Sequence, residues 1–327
     1  MAVAGSYASL AEAQAMTRTD DLIAGLVNEV VREGGILDLI PTRTVRGVNL
    51  AYVRENVQPS GGFHAIADTW TASEDIDVTK VTLTLAIHGD EKDIDNFVAK
   101  TYSDPNDHTA VIMAQTMRGL KNRIERALLY ESVSFSGLHS LVTSNQTLSQ
   151  GSGSTEAAAT VTNLNRMLDL VRPKADILLV PYRLGQRFDQ TEQGVNSSAL
   201  VYAVAAEGMR KGHLTGFWRE VKIRRSDYMA TANTGVFQET IASGVYSAET
   251  GGASASAFGV HWGLPENGEV GGVFLAIGEE LFNVEGPHSH PTKDAQWVRI
   301  TSYIASGLAG TRGLGIMDGC SDAALTA

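Results

Sequence analysis

One cysteine, Cys320, is all the thiol that the 327 residues contain. A single cysteine excludes an intrachain disulfide and any zinc cage built from cysteines, and it fits maturation in the cytoplasm. Charge is also scarce. Asp, Glu, Lys and Arg make up 19% of the chain, below the usual quarter, while glycine reaches 33 residues. Low charge with abundant glycine suggests that other subunits cover much of the surface. Cations are the scarcer sign, 26 Lys and Arg against 37 Asp and Glu, for a net charge of −11. That balance argues against gripping nucleic acid by bulk attraction, though it leaves room for a local basic face such as Arg118 with Arg126. No stretch approaches 18 uninterrupted apolar residues, so no membrane-spanning helix is expected. The N-terminal MAVAGSYASLAEAQAM lacks a basic n-region and is broken by Glu12, unlike a signal peptide. GxxxxGK[ST], GxGxxG and GxSxG are all missing.

What is present is organised around Asp104 to Ser132, DPNDHTAVIMAQTMRGLKNRIERALLYES. Asp104 suits an N-cap, Pro105 the first helical turn, and Asp107 the positive end of the helix dipole. Met113, Met117, Leu120, Ile124 and Ala127, with Leu128 beside them, repeat at alternating spacings of four and three and form one apolar stripe. Gln115, Arg118, Asn122 and Arg126 fall on the opposite face. Such a helix spans roughly 40 Å, which marks an architectural spine.

Residues 1 to about 17 are small and read as an arm that orders against a partner. An amphipathic helix is expected from about Asp20 to Glu33, with Leu22, Ile23, Leu26, Val27, Val30 and Val31 as its stripe and Gly34-Gly35 as its stop. From Gly47 to about Ile87 the period changes to two: Val48, Leu50 and Tyr52, then Val81, Leu83, Leu85 and Ile87, alternate as half-buried strands do. Between them lies ENVQPSGGFHAIADTWTASEDIDVTK, which has too few large apolar residues to bury itself. The pair reads as an extended two-stranded arm, with Phe63, Trp70 and Ile76 as contacts for a neighbour; a disordered surface loop is the alternative.

After the spine, Leu141 to Thr160 reads as a Ser/Gly/Thr linker, and Thr160 as the cap of a helix that ends before Pro173. Asp176 to Val180, DILLV, reads as a buried central strand. Further helices are expected around Tyr182 to Asp189 and from about Ser198 to Lys211, and a strand from Phe217 to Arg225. Residues 231 to 260 read as loop rather than core. Two long antiparallel strands, Gly272 to Val284 and Gln296 to Ala305, flank EGPHSHPTKDA.

Little chemistry stands out. His288 and His290 lie in a Pro/Gly-rich turn, where a third metal ligand at a fixed spacing is not visible, and a solvated hairpin turn is the plainer reading. Glu279-Glu280 and the cluster Asp90, Glu91 and Asp93 read as solvated acids. Arg123 with Arg126, or Arg224-Arg225, suits phosphate or a neighbour's acids, against a default of exposed salt bridging. No catalytic residue, cofactor site or metal site is expected.

The order of elements carries a family resemblance. A small-residue arm and amphipathic helix precede ILDLIPTRTVRGVNLAYVRE, the extended hairpin, DIDNFVAKTY and the capped spine. Then come a linker, a helix, ADILLVPYRLGQRFDQT and two long strands ending in GLGIMDG. Over nearly its whole length the chain resembles the tailed-bacteriophage major capsid proteins of the HK97-like fold. The resemblance implies an α+β fold with an N-arm at residues 1–47, an extended β-hairpin E-loop at 48–88, a peripheral domain with its long spine helix at 89–149, an axial domain at 150–270, and the peripheral domain's long strands and C-terminal tail at 271–327. It implies a structural, non-enzymatic protein that self-assembles into pentamers and hexamers of an icosahedral shell around double-stranded DNA, built in the host cytoplasm and residing in the virion. Portal protein, a possible decoration protein and non-specifically held DNA are the implied partners, with no membrane. A separate scaffolding protein is implied too, because Asp20 already begins the arm helix close to Met1. Leu22, Leu26, Arg54, Phe63, Trp70 and Ile76 would form the arm and E-loop interfaces, and Arg118, Asn122 and Arg126 would face the lumen. An encapsulin-type compartment is the alternative within the fold, and a soluble α/β enzyme the rival outside it.

Overall fold

The structure is a computed structural model that describes residues 34–57, 63–66, 77–97, 108–150, 157–182, 184–186, 200–203, 215–229, 240–241, 244–245, 255–265 and 271–321. The expected N-terminal helix and the caps Asp104 and Pro105 lie outside these residues. In chain order the strands are β1 (Thr42–Thr44), β2 (Asn49–Val57), β3 (Asp77–Thr84), β4 (Ala86–Asp95), β5 (Thr147–Ser149), β6 (Ile177–Pro181), β7 (Leu200–Ala203), β8 (Thr215–Trp218) and β9 (Val221–Ser226). They continue with β10 (Thr240–Ile241), β11 (Gly244–Val245), β12 (Ala255–Val260), β13 (Val273–Ile277), β14 (Asn283–Ser289), β15 (Ala295–Leu308) and β16 (Leu314–Cys320). The helices are α1 (His108–Tyr130), α2 (Leu138–Leu141) and α3 (Val161–Leu170). The fold is mixed α+β.

Two sheets organise the chain. In the first, the 14-residue β15 carries β13 and then β14 along one edge and β4 along the other, with β1 added in parallel beside β13. The second has seven strands in the order β5-β16-β12-β6-β9-β8-β7. Its centre is β6, ILLVP, buried at all five positions. A continuous apolar run suits a strand covered on both faces.

Helix α1 lies between the sheets. Its 23 residues extend about 35 Å. The expected stripe is buried only in the C-terminal half: Leu120, Ile124 and Leu128 are buried with Leu129 and Tyr130, whereas Met113 and Met117 are half-buried. Ile124 and Leu128 share one core with Ile36, Phe258, Leu275, Ile304 and Leu308, so that core joins both sheets and the residues before β1. Glu131 ends the helix by accepting from the N–H groups of Ser132, Val133 and Ser134 at 3.2, 2.9 and 3.2 Å. The second core sits under α3, whose Leu164, Met167 and Leu168 pack on β6 and β16. Thr160 caps α3 as expected, accepting from Asn163 N–H at 3.1 Å.

Several expectations fail for local reasons. The helix placed at Ser198–Lys211 contains strand β7 at its start, paired with β8 in a sheet that overrides helix propensity. Phe217–Arg225 is two strands joined by a tight turn, with Arg219 and Glu220 at φ 45° and 67°. Neither is the Gly or Asn that advertises such a turn. Within the expected loop 231–260, β12 (ASAFGV) is buried at all six positions. Its small residues let α3 approach closely, and their low hydrophobicity disguised it. The two long strands expected between Gly272 and Ala305 are three, β13, β14 and β15, because β14 runs through Gly286-Pro287-His288 with a bulge between Glu285 and His288. His288 is therefore on a strand, its ring 4.9 Å from Trp297, while His290 N–H donates to Ala295 at the turn. The supposed linker 141–160 contributes β5 to the second sheet.

Candidate functional site

The hairpin β2–β3 is largely exposed. Its ladder runs from Asn49↔Thr84 to Val57↔Asp77. Near the base, Leu50, Tyr52 and Leu83 turn inward onto Phe274, Ala276 and Ala305 of the first sheet. Gly307 makes this possible, since a Cβ there would stand 2.4 Å from Leu83 Cδ1 and 2.7 Å from Phe274 Cζ. Tyr52 meets Phe274 edge to face at 5.9 Å. Its hydroxyl donates to the Leu308 carbonyl at 2.8 Å, and burial holds its pKa above the usual phenol range. Arg54 donates to the same carbonyl at 2.5 Å and to the Ala309 carbonyl at 3.0 Å. A cation spanning two carbonyl oxygens at the free end of β15 is a firm latch.

Away from the latch the hairpin leaves apolar side chains uncovered. Val53 is 67% exposed, Val78 53%, and at the tip Phe63 and Ile66 are fully exposed. At the other end, where β1 leads into β2 and β3 into β4, lies a groove of about 720 Å³ lined by Val48, Leu85, Ile87 and Tyr303, with Arg46 and Glu279 among its polar residues.

A second construction ties residues 34–40 to α1. Glu125, 1% exposed, accepts from the N–H groups of Ile36 at 2.7 Å and Leu37 at 3.1 Å, which open a short helical turn closed by Ile40 N–H to the Ile36 carbonyl. A carboxylate here satisfies donors that such a turn leaves unpaired. Lys121, one helical turn earlier, pairs with Asp38 at 3.5 Å, and Arg224 donates to the Gly35 carbonyl at 3.3 Å. The strap fits because of its glycines: a Cβ at Gly35 would meet Glu125 Oε1 at 2.2 Å, and Gly34 has φ +80° with Arg225 O where a Cβ would stand. Desolvation pushes the Glu125 pKa up against the pull of the two N–H donors and Lys121, with Asp38 adding to the rise.

The sequence-predicted residues scatter. Leu22, Leu26, Trp70 and Ile76 lie outside the described residues. Arg54 and Phe63 sit on one hairpin, but Arg54 holds its own chain while Phe63 is bare. Arg118 is exposed and Arg126 half-buried, whereas Asn122 accepts from the Tyr228 hydroxyl at 2.9 Å and so faces the protein. The three do not form one uniform solvent face. Glu125 and Ile66 escaped sequence reasoning, and Tyr52 was read only as a strand residue. The signal for Glu125 was an acid four residues after Lys121 and three before Leu128, on the buried side.

Among the described residues no three His, Cys, Asp or Glu side chains group to hold a metal, and no helix is long and apolar enough to cross a membrane.

No family model and no curated protein matches the chain. Solved structures do. The holo-SrpI encapsulin complex from Synechococcus elongatus PCC 7942 is similar with a TM-score of 0.64 at 15% identity, covering 89% of each chain. The capsid of a native GTA particle gives 0.62 at 9% identity, covering 93% of this chain and 96% of that one. Mycobacterium phage Bobi gives 0.57 at 14% identity, covering 94% and 97%. The fold is a mixed α+β fold related to the HK97-like structures of capsids and encapsulins. At these identities the likeness is one of fold.

Proposed function

We propose that the chain is the repeating subunit of an icosahedral shell of the tailed-phage capsid type, assembling as pentamers and hexamers around double-stranded DNA. The observation that carries this reading is the hairpin: a long two-stranded arm, latched at its base, whose outer face and tip leave Val53, Val78, Phe63 and Ile66 uncovered. A hairpin with bare apolar residues is marginal alone and gains by lying on another surface. The likeness to the capsid chain of a native GTA particle, of which 96% is covered, supports the same reading.

On this reading residues 1–47 are the N-arm, 48–88 the E-loop, 89–149 the peripheral domain with α1 as its spine, 150–270 the axial domain, and 271–327 the long strands and tail. The arm, E-loop and axial edges bury area against several neighbours, and obligate interfaces of this type reach roughly 2,000–5,000 Å². Each hairpin contact is heterologous, one surface of a copy against a different surface of the next, and such contacts close into rings or shells when the rotation permits. Portal, scaffolding and decoration proteins are the accompanying partners, and no catalytic step belongs to the chain. DNA is held by confinement within an acidic wall.

A cargo compartment is the second reading, favoured by the TM-score of 0.64 to an encapsulin. Recovering particles from the native source and measuring their content decides between the two. Double-stranded DNA supports the capsid, an enclosed protein supports the compartment, and the absence of any particle overturns both.

A further inference from the structure

One end of the second sheet gathers cations in a chain whose net charge is −11. Strands β6, β9 and β16 begin there and β12 ends there, so the connections at residues 172–176, 219–220, 261–262 and 311–313 meet. Hydrogen bonds tie them together. Arg172 N–H donates to the Arg312 carbonyl at 2.9 Å, Asp176 N–H to the Val260 carbonyl at 2.9 Å, and His261 N–H to the Gly313 carbonyl at 2.8 Å. The β8–β9 turn joins them through Lys174 and Glu220, whose charged groups lie 2.9 Å apart. Arg172, Lys174, Arg219 and Arg312 are all exposed on these connections.

The acids on these connections are occupied, and the arginines are not. Glu220 holds Lys174. Asp176 accepts from His261 Nδ1–H and from the Trp262 N–H, both at 2.8 Å. Arg172, Arg219 and Arg312 make no ion pair among the described residues, the exposed Asp169 of α3 included. Arg219 also stands at φ 45°, in a two-residue turn that Asn-Gly would form with less strain. A charged side chain kept at such a position points to a use for the charge.

We infer that this end of the second sheet is a phosphate-binding site, with Arg172, Arg219 and Arg312 as its cations and Lys174 at its margin. A guanidinium presents a planar fork that matches two phosphate oxygens at once, and three of the four cations here are arginine. Carboxylates of a second copy suit the site less well. The acids on the first sheet are already paired, Glu91 with Arg299 at 2.6 Å, Asp93 with Lys293 at 3.3 Å and Asp90 with Lys92 at 3.1 Å. The ligand is a phosphodiester backbone or a free polyphosphate, which share the same chemistry. Phosphate capture of this kind needs no shell and so goes beyond the shell reading, to which only a DNA source would join it.

The test is titration calorimetry of the purified full-length chain with a short mixed-sequence DNA duplex and, separately, with tripolyphosphate, across a salt series. Arg172→Glu/Arg312→Glu should lower the affinity for the bound ligand about tenfold, and for the duplex make the slope of log affinity against log salt shallower by about 2. Arg172→Lys/Arg312→Lys keeps the charge and should keep the slope, which separates lost contacts from a misfolded loop. Arg46→Glu, at the groove by the hairpin base, should leave binding unchanged, which separates a local site from net charge. Duplex binding with this pattern makes nucleic acid the source, and tripolyphosphate binding without duplex binding makes it a free polyphosphate. A wild-type chain that binds neither, or a loss per charge as large in Arg46→Glu, would overturn the site. A chain that binds phosphate in this pattern but never assembles would sink the shell reading alone.

Discussion

The Glu125 carboxylate and the Ile36 N–H, 89 positions apart in sequence, meet at 2.7 Å in a site closed to solvent. This contact and its neighbour at Leu37 fasten the segment before β1 to the long helix. On the proposed function it marks where the N-arm leaves the body of the subunit. Removing the acceptor strands two buried donors, each costing about 1–3 kcal/mol. Glu125→Ala should therefore destabilise the unassembled chain by about 3 kcal/mol, read from urea unfolding. A change below about 0.5 kcal/mol, the range of an ordinary surface substitution, would contradict the fastening role.

The glycine beside it makes the contact testable as a pair. Gly35→Ala places a methyl group against the Glu125 carboxylate, so it should destabilise by about 2 kcal/mol in the wild-type chain and by clearly less in a Glu125→Ala background. The double-mutant cycle is the measurement. Strict additivity would mean that Gly35 matters for some reason other than Glu125.

The pH dependence has a definite sign. The folded-state pKa of Glu125 is raised above its ordinary value, mainly by desolvation. Folding therefore favours its protonated form, and the associated stability is full below the unfolded carboxyl pKa and is lost as pH rises through the folded one. Glu125→Gln removes that dependence. The stability of wild type minus that of the variant should fall between pH 4 and the neutral range, measured by thermal unfolding of the unassembled chains. A difference that is flat or rises with pH would contradict the assigned direction.

The latch at the hairpin base predicts a local effect. Arg54→Ala with Tyr52→Phe deletes the donors to the Leu308 and Ala309 carbonyls. At about 2 kcal/mol for a charge-assisted bond with its neighbour, amide exchange at Leu50, Val81 and Leu83 should quicken by about thirtyfold, with little change in β6. Uniform exchange across the chain would show that the latch does not govern the hairpin.

On the capsid reading, the exposed Arg118 and half-buried Arg126 face the lumen. An Arg118→Glu/Arg126→Glu double variant should form normal empty particles and lose packaged DNA. Asn122 is left out because its side chain already serves Tyr228. Normal genome filling in that variant would sink the lumen assignment.

Much of the architecture was legible in the sequence because period and punctuation agree there. Ile124 and Leu128 sit where the helical stripe puts them, Thr160 caps α3, and the alternation of Leu50, Tyr52, Val81 and Leu83 names both strands of the hairpin. Legibility failed where local chemistry and tertiary context conflict. Arg219 and Glu220 occupy positive φ without glycine, β12 builds core from Ala, Ser and Gly, and Glu125 is a charged residue on a buried face. Arg54 is the instructive case at the site. A cation on an exposed hairpin suggests a partner, and only the fold shows the ends of β15 and β2 brought together to occupy it. Phe63 was legible as an uncovered aromatic, but the groove at the hairpin base was not, since Val48, Ile87 and Tyr303 converge only through the sheet.

The central claim is that this chain builds a closed shell from copies of itself. Analytical ultracentrifugation of the purified full-length chain, with and without candidate scaffolding protein, followed by electron microscopy of the fast-sedimenting fraction, tests it most directly. The account predicts pentamers, hexamers or closed icosahedral particles. A single slow species of monomer or dimer under both conditions would contradict it.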